Sequence, residues 1–268
     1  MTKVIEKAAE QTSNMNPADP LSAMLDSIYN EDCLEGMKRI PDRSIDMILC
    51  DLPYGTTQNK WDCVIPFGDL WKQYERVVKE NGAIVLTADG LFTAKTMLSN
   101  EKLFRYKLIW DKKNTTGFLN AKRMPLRRHE DILVFYAKQP TYNPQMVVRG
   151  KPRKKGGYAG GNKGCYGDYG DQVSLNNSYY PTSILEFGNA NQGEKIHPTQ
   201  KSCALFEYLI KTYTNENDIV LDNCMGSGTT AIAAINTGRR FVGFETNREY
   251  FVALQERIAN RRSELRGE

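Results

Sequence analysis

Short apolar runs separated by polar segments predict a chain in which strands and helices alternate. The mainly apolar runs 45–50 and 83–86 are typical of strands that are buried on both faces of a parallel sheet. Each run is followed by a segment that we expect to be helical, over 69–79 and 91–98 respectively. This alternation indicates an α/β fold.

The same patterns predict the remaining elements. Thr246 followed three residues later by Glu249 forms a capping-box pattern, which predicts the start of a final helix. Further strands are expected over 27–30, 105–110, 131–136, 219–221 and 240–244, and further helices over 32–39 and 231–235.

The tetrapeptide Asp51-Leu52-Pro53-Tyr54 directly follows the predicted strand 45–50. In an open α/β sheet the ligand crevice lies outside the carboxyl ends of the strands. A carboxylate, a rigid turn and an aromatic ring at this place therefore predict contacts with a substrate. Asp and Pro are also common turn residues, so an ordinary structural turn is the alternative.

Residues 219–235 predict a strand, a glycine-bearing loop and the opening of a helix. Gly226 and Gly228 let the backbone approach a ligand closely, and a helix N-terminus favours a carboxylate or phosphate. The loop has neither the third glycine of the dinucleotide fingerprint nor the Gly-Lys-Thr ending of a phosphate-binding P-loop. Glu245, at the end of the following strand, is placed to accept hydrogen bonds from ribose hydroxyls.

These motifs, in this order, resemble the amino-group DNA methyltransferases that use S-adenosylmethionine, in the permuted β-type arrangement. Segments 30–35, 110–114, 129–135 and 197–201 also match, so that the resemblance covers most of residues 27–262. It implies a Rossmann-like class I methyltransferase fold with a circularly permuted motif order. The expected sheet has seven strands, mostly parallel with one antiparallel, and helices on both faces.

The resemblance also implies how the chain is divided. A polar N-terminal extension, 1–26, would precede the catalytic half, 27–137. An inserted target-recognition region would occupy 138–196, where helical and strand periodicity is lost, and the cofactor-binding half would follow over 197–268.

The implied activity is site-specific transfer of a methyl group to the N6 amine of an adenine flipped out of DNA. Asp51 would accept one amine N–H, the Leu52 carbonyl, held by Pro53, would accept the other, and Tyr54 would stack on the base. Family members usually carry Pro where this chain has Leu52. Asp at the first position resembles adenine-N6 enzymes, whereas Ser is usual in cytosine-N4 enzymes. The alternatives are a cytosine-N4 enzyme, an inactive nucleic-acid-binding protein, and an enzyme that methylates RNA or a protein amide.

The predicted cofactor is S-adenosylmethionine. The resemblance places Glu245 on its ribose, Asp32 and Cys33 at its adenine, and Thr199 and Lys201 near its methionine carboxylate. Asp32 equally fits a plain helix N-cap. The methionine part would lie against the loop 222–229, whose expected contact residues are Asp222, Cys224, Gly226, Ser227, Gly228 and Thr229.

Charge agrees with a nucleic-acid partner without requiring one. The chain has 36 Lys and Arg residues against 32 Asp and Glu, a net charge of +4. Basic residues interleaved with tyrosines between 138 and 196 predict contacts with DNA, expected to be double-stranded; a solvated loop is the alternative. The predicted DNA-binding residues are Lys113, Asn114, Arg149, Lys151, Arg153, Lys154 and Lys155.

Other classes of site are disfavoured by composition. Six cysteines without a Cys-x-x-Cys pair, and only two histidines, predict no zinc site. No apolar stretch is typical of a signal peptide or a membrane span, so a cytoplasmic protein with reduced cysteines and no membrane contact is expected. The sequence leaves both a monomer and a homodimer open.

Overall fold

The computed structural model describes residues 20–56, 62–155, 174–189 and 200–267, with the backbone alone over 151–155 and 174–176. The strands are β1 (Ser27–Tyr29), β2 (Ile45–Cys50), β3 (Val78–Ala88), β4 (Phe104–Thr116), β5 (Arg127–Phe135), β6 (Val147–Lys155), β7 (Ser174–Tyr179), β8 (Ile184–Glu186), β9 (Ile219–Asp222) and β10 (Arg240–Phe244). The α-helices are α1 (Cys33–Met37), α2 (Phe67–Val77), α3 (Gly90–Ser99), α4 (Cys203–Tyr213), α5 (Thr229–Asn236) and α6 (Arg248–Arg266). Within the described ranges, no helix combines the length and apolar character needed to cross a membrane.

Eight strands form the main sheet, in the order β1-β10-β9-β2-β3-β5-β4-β8. Neighbouring strands run parallel except where β5 lies antiparallel to both β3 and β4. The predicted α/β class, the mostly parallel sheet and its antiparallel strand are therefore confirmed. The described sheet has eight strands rather than the expected seven, because the short strand β8 adds to β4 at one edge.

The centre of the sheet joins the two halves of the sequence. Strand β2 pairs in parallel with β9, through Met47 opposite Val220 and Ile48 opposite Leu221. From β2 the chain continues outward to β3 on one side, and from β9 it continues to β10 on the other. The carboxyl ends of β2 and β9 thus flank a point where the strand order reverses, which is where open α/β sheets bind ligands.

Alternation along β2 explains why the sheet is covered on both faces. Ile48 and Cys50 belong to a core shared with the helices α1, α2 and α3. Met47 and Leu49 belong to a second core, shared with α4, α5 and α6. All four side chains are fully buried, as expected for a central strand whose neighbouring positions point to opposite faces.

The start of the last helix differs from the prediction. The capping box expected at Thr246 is wrong, because Asn247 is the N-cap of α6. The Asn247 side chain accepts hydrogen bonds from the backbone N–H groups of Glu249, at 2.9 Å, and Tyr250, at 3.2 Å. An Asn side chain satisfies the free N–H groups of the first turn as well as Thr does.

Residues 144–182 form a second, smaller compact unit, separate from the unit that contains 20–143 and 183–267. Its described strands β6 and β7 pair antiparallel, with a register shift between Val148 and Arg153. No strand periodicity in the sequence predicts this two-stranded ribbon. The insertion predicted over 138–196 has wider bounds than this unit.

Candidate active site

The carboxylate of Asp51 follows the last residue of β2 and is held by three donors that all meet one oxygen. Tyr54 donates its hydroxyl to Oδ1 at 3.0 Å, and the Lys201 ammonium lies 3.1 Å from the same atom. The hydroxyl of Thr87, on the neighbouring strand β3, is a third donor to Oδ1. Among the described residues, no hydrogen bond uses Oδ2. The carboxylate is therefore oriented through Oδ1 and presents Oδ2 as an acceptor.

Lys201 belongs to a buried chain of alternating charges. Its ammonium also lies 2.8 Å from Glu130 Oε2, while the other oxygen of Glu130 pairs with Lys112. Lys112, Glu130 and Lys201 are each less than a tenth exposed. The contacting groups, in the order Asp51, Lys201, Glu130 and Lys112, are two negative and two positive, so the cluster has no net charge.

The charges in this chain reinforce one another. Burial alone would lower the pKa of Lys201, but the negative groups around it, led by Asp51, raise that pKa well above its usual value. Burial opposes ionisation of Glu130, yet Lys201 and Lys112 together hold the Glu130 pKa below its usual value. Both side chains are therefore charged at neutral pH.

The turn after Asp51 is fixed on both sides. The ring of Tyr54 stacks on Phe92 with centroids 4.8 Å apart, so Phe92 covers one part of the ring. Gly55 has a φ of +67°, and the carboxylate of Asp62 accepts the N–H groups of Gly55 and Thr56 at 2.8 and 2.9 Å. These contacts hold the Tyr54 ring beside the Asp51 carboxylate.

Asp222 ends strand β9 and fixes the start of the glycine loop. Its side chain accepts the hydroxyl of Thr230 at 2.5 Å and the N–H of Cys224 at 2.9 Å. Burial raises the pKa of Asp222 to about 6, although the bonds from Thr230 and Cys224 act in the opposite direction. The carboxylate is thus a structural acceptor that carries a desolvation cost.

The two loop glycines have different environments. Gly228 has a φ of +76°, and a Cβ there would lie 1.9 Å from the Leu254 side chain, so the loop packs directly against α6. Gly226 has a φ of +50°, and a Cβ there would meet nothing closer than 3.9 Å. Its N–H donates to Glu245 Oε2 at 2.8 Å, and the N–H of Asn247 donates to the other oxygen of Glu245 at 2.7 Å.

Asp32 is the N-cap of α1. Its Oδ1 accepts the N–H groups of Leu34, at 2.8 Å, and Glu35, at 3.2 Å. The helix-cap alternative is therefore what the structure contains, and it engages one oxygen only. Among the described residues, no hydrogen bond uses Asp32 Oδ2. Cys33, the next residue, is buried and accepts a hydrogen bond from the Asn223 side chain.

One cavity of about 620 Å³ connects these groups. This volume lies within the range of roughly 300–1,000 Å³ that is usual for small-ligand sites. Its lining includes Asp51–Tyr54, Lys112, Glu130 and Lys201 around the Asp51 carboxylate, and Asp32, Cys33, Asp222–Ser227, Thr229 and Glu245 from the predicted cofactor side.

The remaining predictions concern Thr199, Lys201 and the basic residues. Thr199 lies outside the described residues. The Lys201 ammonium contacts Asp51 and Glu130, and the Lys201 carbonyl accepts a hydrogen bond from the Thr229 hydroxyl at 3.5 Å. Lys113 and Asn114 are exposed on β4, and Lys113 lies 3.8 Å from Glu186. Of the basic cluster in the smaller unit, Arg149 is exposed, and only the backbone of Lys151, Arg153, Lys154 and Lys155 is described.

Several residues that build the site have no role predicted from the sequence. Glu130 and Lys112 complete the charge chain, Thr87 binds Asp51, and Asn223 accepts the Tyr74 hydroxyl at 2.5 Å. Glu130 begins the buried part of β5. Because β5 runs antiparallel to β3, this position lies beside the carboxyl end of β3. An acidic residue just before an apolar run was therefore a usable signal. Lys112 and Thr87 have no comparable local signal.

Comparison with known proteins adds relatives with known activities. A family model described as DNA methylase matches residues 45–256. The type II methyltransferase M.HpaI of Haemophilus parainfluenzae is 28% identical over 240 residues, which span 84% of this chain and 71% of the relative. The type II methyltransferase M1.MboII of Moraxella bovis is 27% identical over 246 residues, 84% of this chain and 94% of the relative.

Solved structures agree at the level of the fold. The M1.HpyAVI–SAM complex superposes with a TM-score of 0.59 at 26% identity, covering 86% of this chain and 98% of that one. The cytosine-N4-specific PvuII DNA methyltransferase gives a TM-score of 0.61 at 17% identity, covering 90% and 93%. At that identity the second similarity concerns architecture alone.

Replacing Glu130 by Gln is expected to destabilise the protein by about 3–5 kcal/mol, because it leaves the buried Lys112 without its negative partner. Adding Lys112→Met removes that lone cation and should recover part of the loss. Urea unfolding at pH 7 measures both. The control is Glu35→Gln, which breaks the exposed pair with Lys38 and should cost less than about 1 kcal/mol. Equal losses at Glu130 and Glu35 would contradict the role of the buried chain.

Gly228→Ala should destabilise by about 2–5 kcal/mol, since the new methyl group overlaps Leu254 and the residue keeps a left-handed backbone. Gly226→Ala is the matched control. It has the same backbone strain without the overlap, so we expect a loss of about 1–2 kcal/mol. Thermal or urea unfolding of the two variants decides the matter, and indistinguishable losses would show that packing against α6 is unimportant.

Asp222 predicts a pH dependence of stability. Its pKa is raised in the folded state from 3.8 to about 6, so the folded protein holds this proton more tightly than the unfolded chain. The associated stability is present below about pH 4 and is lost as the pH rises through about 6, a change of about 3 kcal/mol. Asp222→Asn removes this dependence. The difference in free energy of unfolding between the two proteins should therefore change by about 3 kcal/mol between pH 4 and pH 7. A difference that stays constant over this range would refute the assignment.

Proposed function

The chain belongs to the N6/N4 family of DNA methylases, and we propose that it transfers the methyl group of S-adenosylmethionine to the N6 amine of an adenine flipped out of DNA. The observation that carries this proposal is the shared cavity. It brings Asp51 and the loop residues Gly226 and Ser227 to one space at the carboxyl edge of the sheet. A methyl acceptor and a methyl donor have to meet in such a space.

The chemistry of the cavity wall fits S-adenosylmethionine. Glu245 already uses both oxygens for backbone N–H groups, and each oxygen retains a lone pair for a ribose hydroxyl. Asp32 Oδ2 is available to an adenine amino group beside the buried Cys33. The open space at Gly226 admits the methionine part, and the first turn of α5 offers N–H groups to its carboxylate. When bound, the cofactor supplies an electrophilic methyl group on a positively charged sulfur.

Asp51 prepares the amine for reaction. The nitrogen lone pair of an exocyclic amine is delocalised into the base, and a hydrogen bond from the amine to Asp51 Oδ2 favours a tetrahedral nitrogen. The Leu52 carbonyl is the proposed acceptor for the second amine hydrogen. Positive charge grows on the nitrogen during transfer, and a carboxylate fixed beside that nitrogen stabilises it.

The surroundings of Asp51 serve this role. Lys201, Thr87 and Tyr54 all bind Oδ1, so the carboxylate cannot rotate freely and Oδ2 keeps a fixed direction. Lys201 would by itself disfavour a growing positive charge nearby. Glu130 lies 2.8 Å from the Lys201 ammonium and offsets that effect. The arrangement therefore orients the acceptor without leaving an unbalanced cation beside the amine.

Support for adenine comes from Asp51, because Asp at the first position of this tetrapeptide resembles adenine-N6 enzymes. The partly exposed Tyr54 ring, which stacks on Phe92 and lies with its centroid 5.5 Å from the Lys201 ammonium, is the proposed stacking partner of the flipped base. For duplex DNA, the proposed phosphate contacts are Lys113, Asn114 and the basic strand β6 with Arg149, Lys151, Arg153, Lys154 and Lys155.

The test is transfer of labelled methyl from S-adenosylmethionine to unmethylated plasmid DNA, with the modified nucleoside identified by mass spectrometry. The expected product is N6-methyladenine. Asp51→Asn should lower kcat by about 10²–10³-fold. The single amide oxygen of Asn would be taken by the three donors at the Oδ1 position, and its NH₂ group would then face the amine, where an acceptor is needed.

Asp46→Asn is the matched control, because Asp46 lies at the opposite end of the same strand and contacts Lys79 and the N–H of Ile219. We expect its kcat to stay within about threefold of the parent protein. Cofactor binding by calorimetry should be similar in all three proteins. N4-methylcytosine as the product would refute the base assignment, and bound cofactor without any DNA product would refute the proposed activity.

A further inference from the structure

The connection between β4 and β5, residues 117–126, is termed the β4–β5 tip. At its apex Phe118 is 80% exposed and Leu119 is 99% exposed. Keeping a Leu or Phe side chain in water forgoes about 1.5–3 kcal/mol of burial free energy each. Two adjacent residues of this kind indicate a surface that contacts something else.

The tip has defined local structure. Gly117 adopts a left-handed conformation with a φ of +86°, and Phe118–Asn120 form a 3-10 helix. The N–H of Asn120 donates to the Gly117 carbonyl at 2.9 Å, and the N–H of Met124 donates to the Asn120 carbonyl at 3.0 Å. Phe118 and Leu119 are therefore displayed by a turn that constrains their direction.

The tip begins and ends at the mouth of the active-site cavity. Thr116, the last residue of β4, pairs with Arg127, the first residue of β5. Both of these residues line the cavity that contains Asp51. A long molecule that reaches Asp51 past Thr116 and Arg127 therefore has its adjoining part next to the tip.

Charge identifies the chemistry of that molecule. Residues 112–129 contain six Lys and Arg residues and no Asp or Glu. Arg127 and Arg128 pair with Asp89 and Asp111. Lys122 and Arg123, on the tip itself, form no ion pair with any residue in the described part of the chain. An apolar apex with free cations fits a polyanion that has an apolar interior, which is the description of stacked bases between phosphates.

We propose that Phe118 and Leu119 form a wedge that enters the base stack of duplex DNA beside the flipped base, while Lys122 and Arg123 bind the adjacent phosphates. This inference rests on the proposed function and extends it to how the base leaves the duplex. Unstacking and unpairing cost a few kcal/mol, and apolar side chains inserted at the vacated step offset part of that cost. A second copy of this chain is a poorer occupant, because two such tips would bring like charges together.

The test compares two duplexes that carry the target adenine, once its position has been mapped on plasmid DNA. In one the adenine is opposite thymine, and in the other it is opposite an abasic site, so that no base pair has to be broken. Phe118→Ser/Leu119→Ser should lower kcat/KM about 10- to 100-fold on the paired duplex. On the abasic duplex the loss should be at most about threefold, because flipping there costs less.

The control is Leu98→Ser, since Leu98 is an exposed apolar residue near the end of α3, 67% exposed, and is distant in sequence from the tip. Its kcat/KM should stay within about twofold on both duplexes. Equal losses for the wedge variant on both duplexes, or no loss on either, would overturn the wedge. So would conversion of a dimer to a monomer by the double substitution, measured by light scattering. Absence of DNA methylation by the parent protein refutes the proposed function instead, and is thereby distinguished.

Discussion

The pairing of β2 with β9 is the contact on which the rest of the site depends. These strands come from opposite ends of the chain, and they meet through only two register positions, Met47 with Val220 and Ile48 with Leu221. Their parallel direction puts Asp51 and Asp222 at the same edge of the sheet. Buried side chains on both faces of β2 fix the register, because a shift by one residue would exchange its two cores.

The buried charges explain how a polar site persists in this apolar setting. Isolated burial of any one of Lys112, Glu130, Lys201 or Asp51 would be strongly unfavourable. Joined in alternation, each charge has an opposite neighbour, and the hydroxyls of Tyr54 and Thr87 satisfy Asp51 further. Buried ion pairs contribute little net stability compared with apolar side chains. Their contribution here is to orient the Asp51 carboxylate, because the contacts within the described residues all engage Oδ1 and leave Oδ2 as an acceptor.

Local patterns were sufficient to predict most of the main sheet and its flanking helices. Mainly apolar runs such as 45–50 and 240–244 are typical of buried strands, and Asp51 and Glu245 follow them directly. The charge cluster could not be predicted, because pairing among β2, β3, β5 and β4 brings Asp51, Glu130 and Lys112 together, and Lys201 reaches them from the segment just before α4. Helix α4 was also missed, although Leu205, Phe206, Leu209 and Ile210 share one buried face. The cap at Asn247 shows that neighbouring polar residues compete for the same role, which sequence spacing alone does not resolve.

The permuted order of strands has a consequence for synthesis on the ribosome. Strands β2, β3, β5 and β4 can pair once the first half of the chain has emerged. The edge of β2 that faces away from β3 has no neighbour until β9 is made. About 170 residues separate β2 from β9, and at roughly 5–20 residues per second their synthesis lasts roughly 10–30 s. During that interval an unpaired strand edge, apolar on both faces, is open to aggregation. The late arrival of β9 therefore both completes the cavity and covers this unpaired edge of β2.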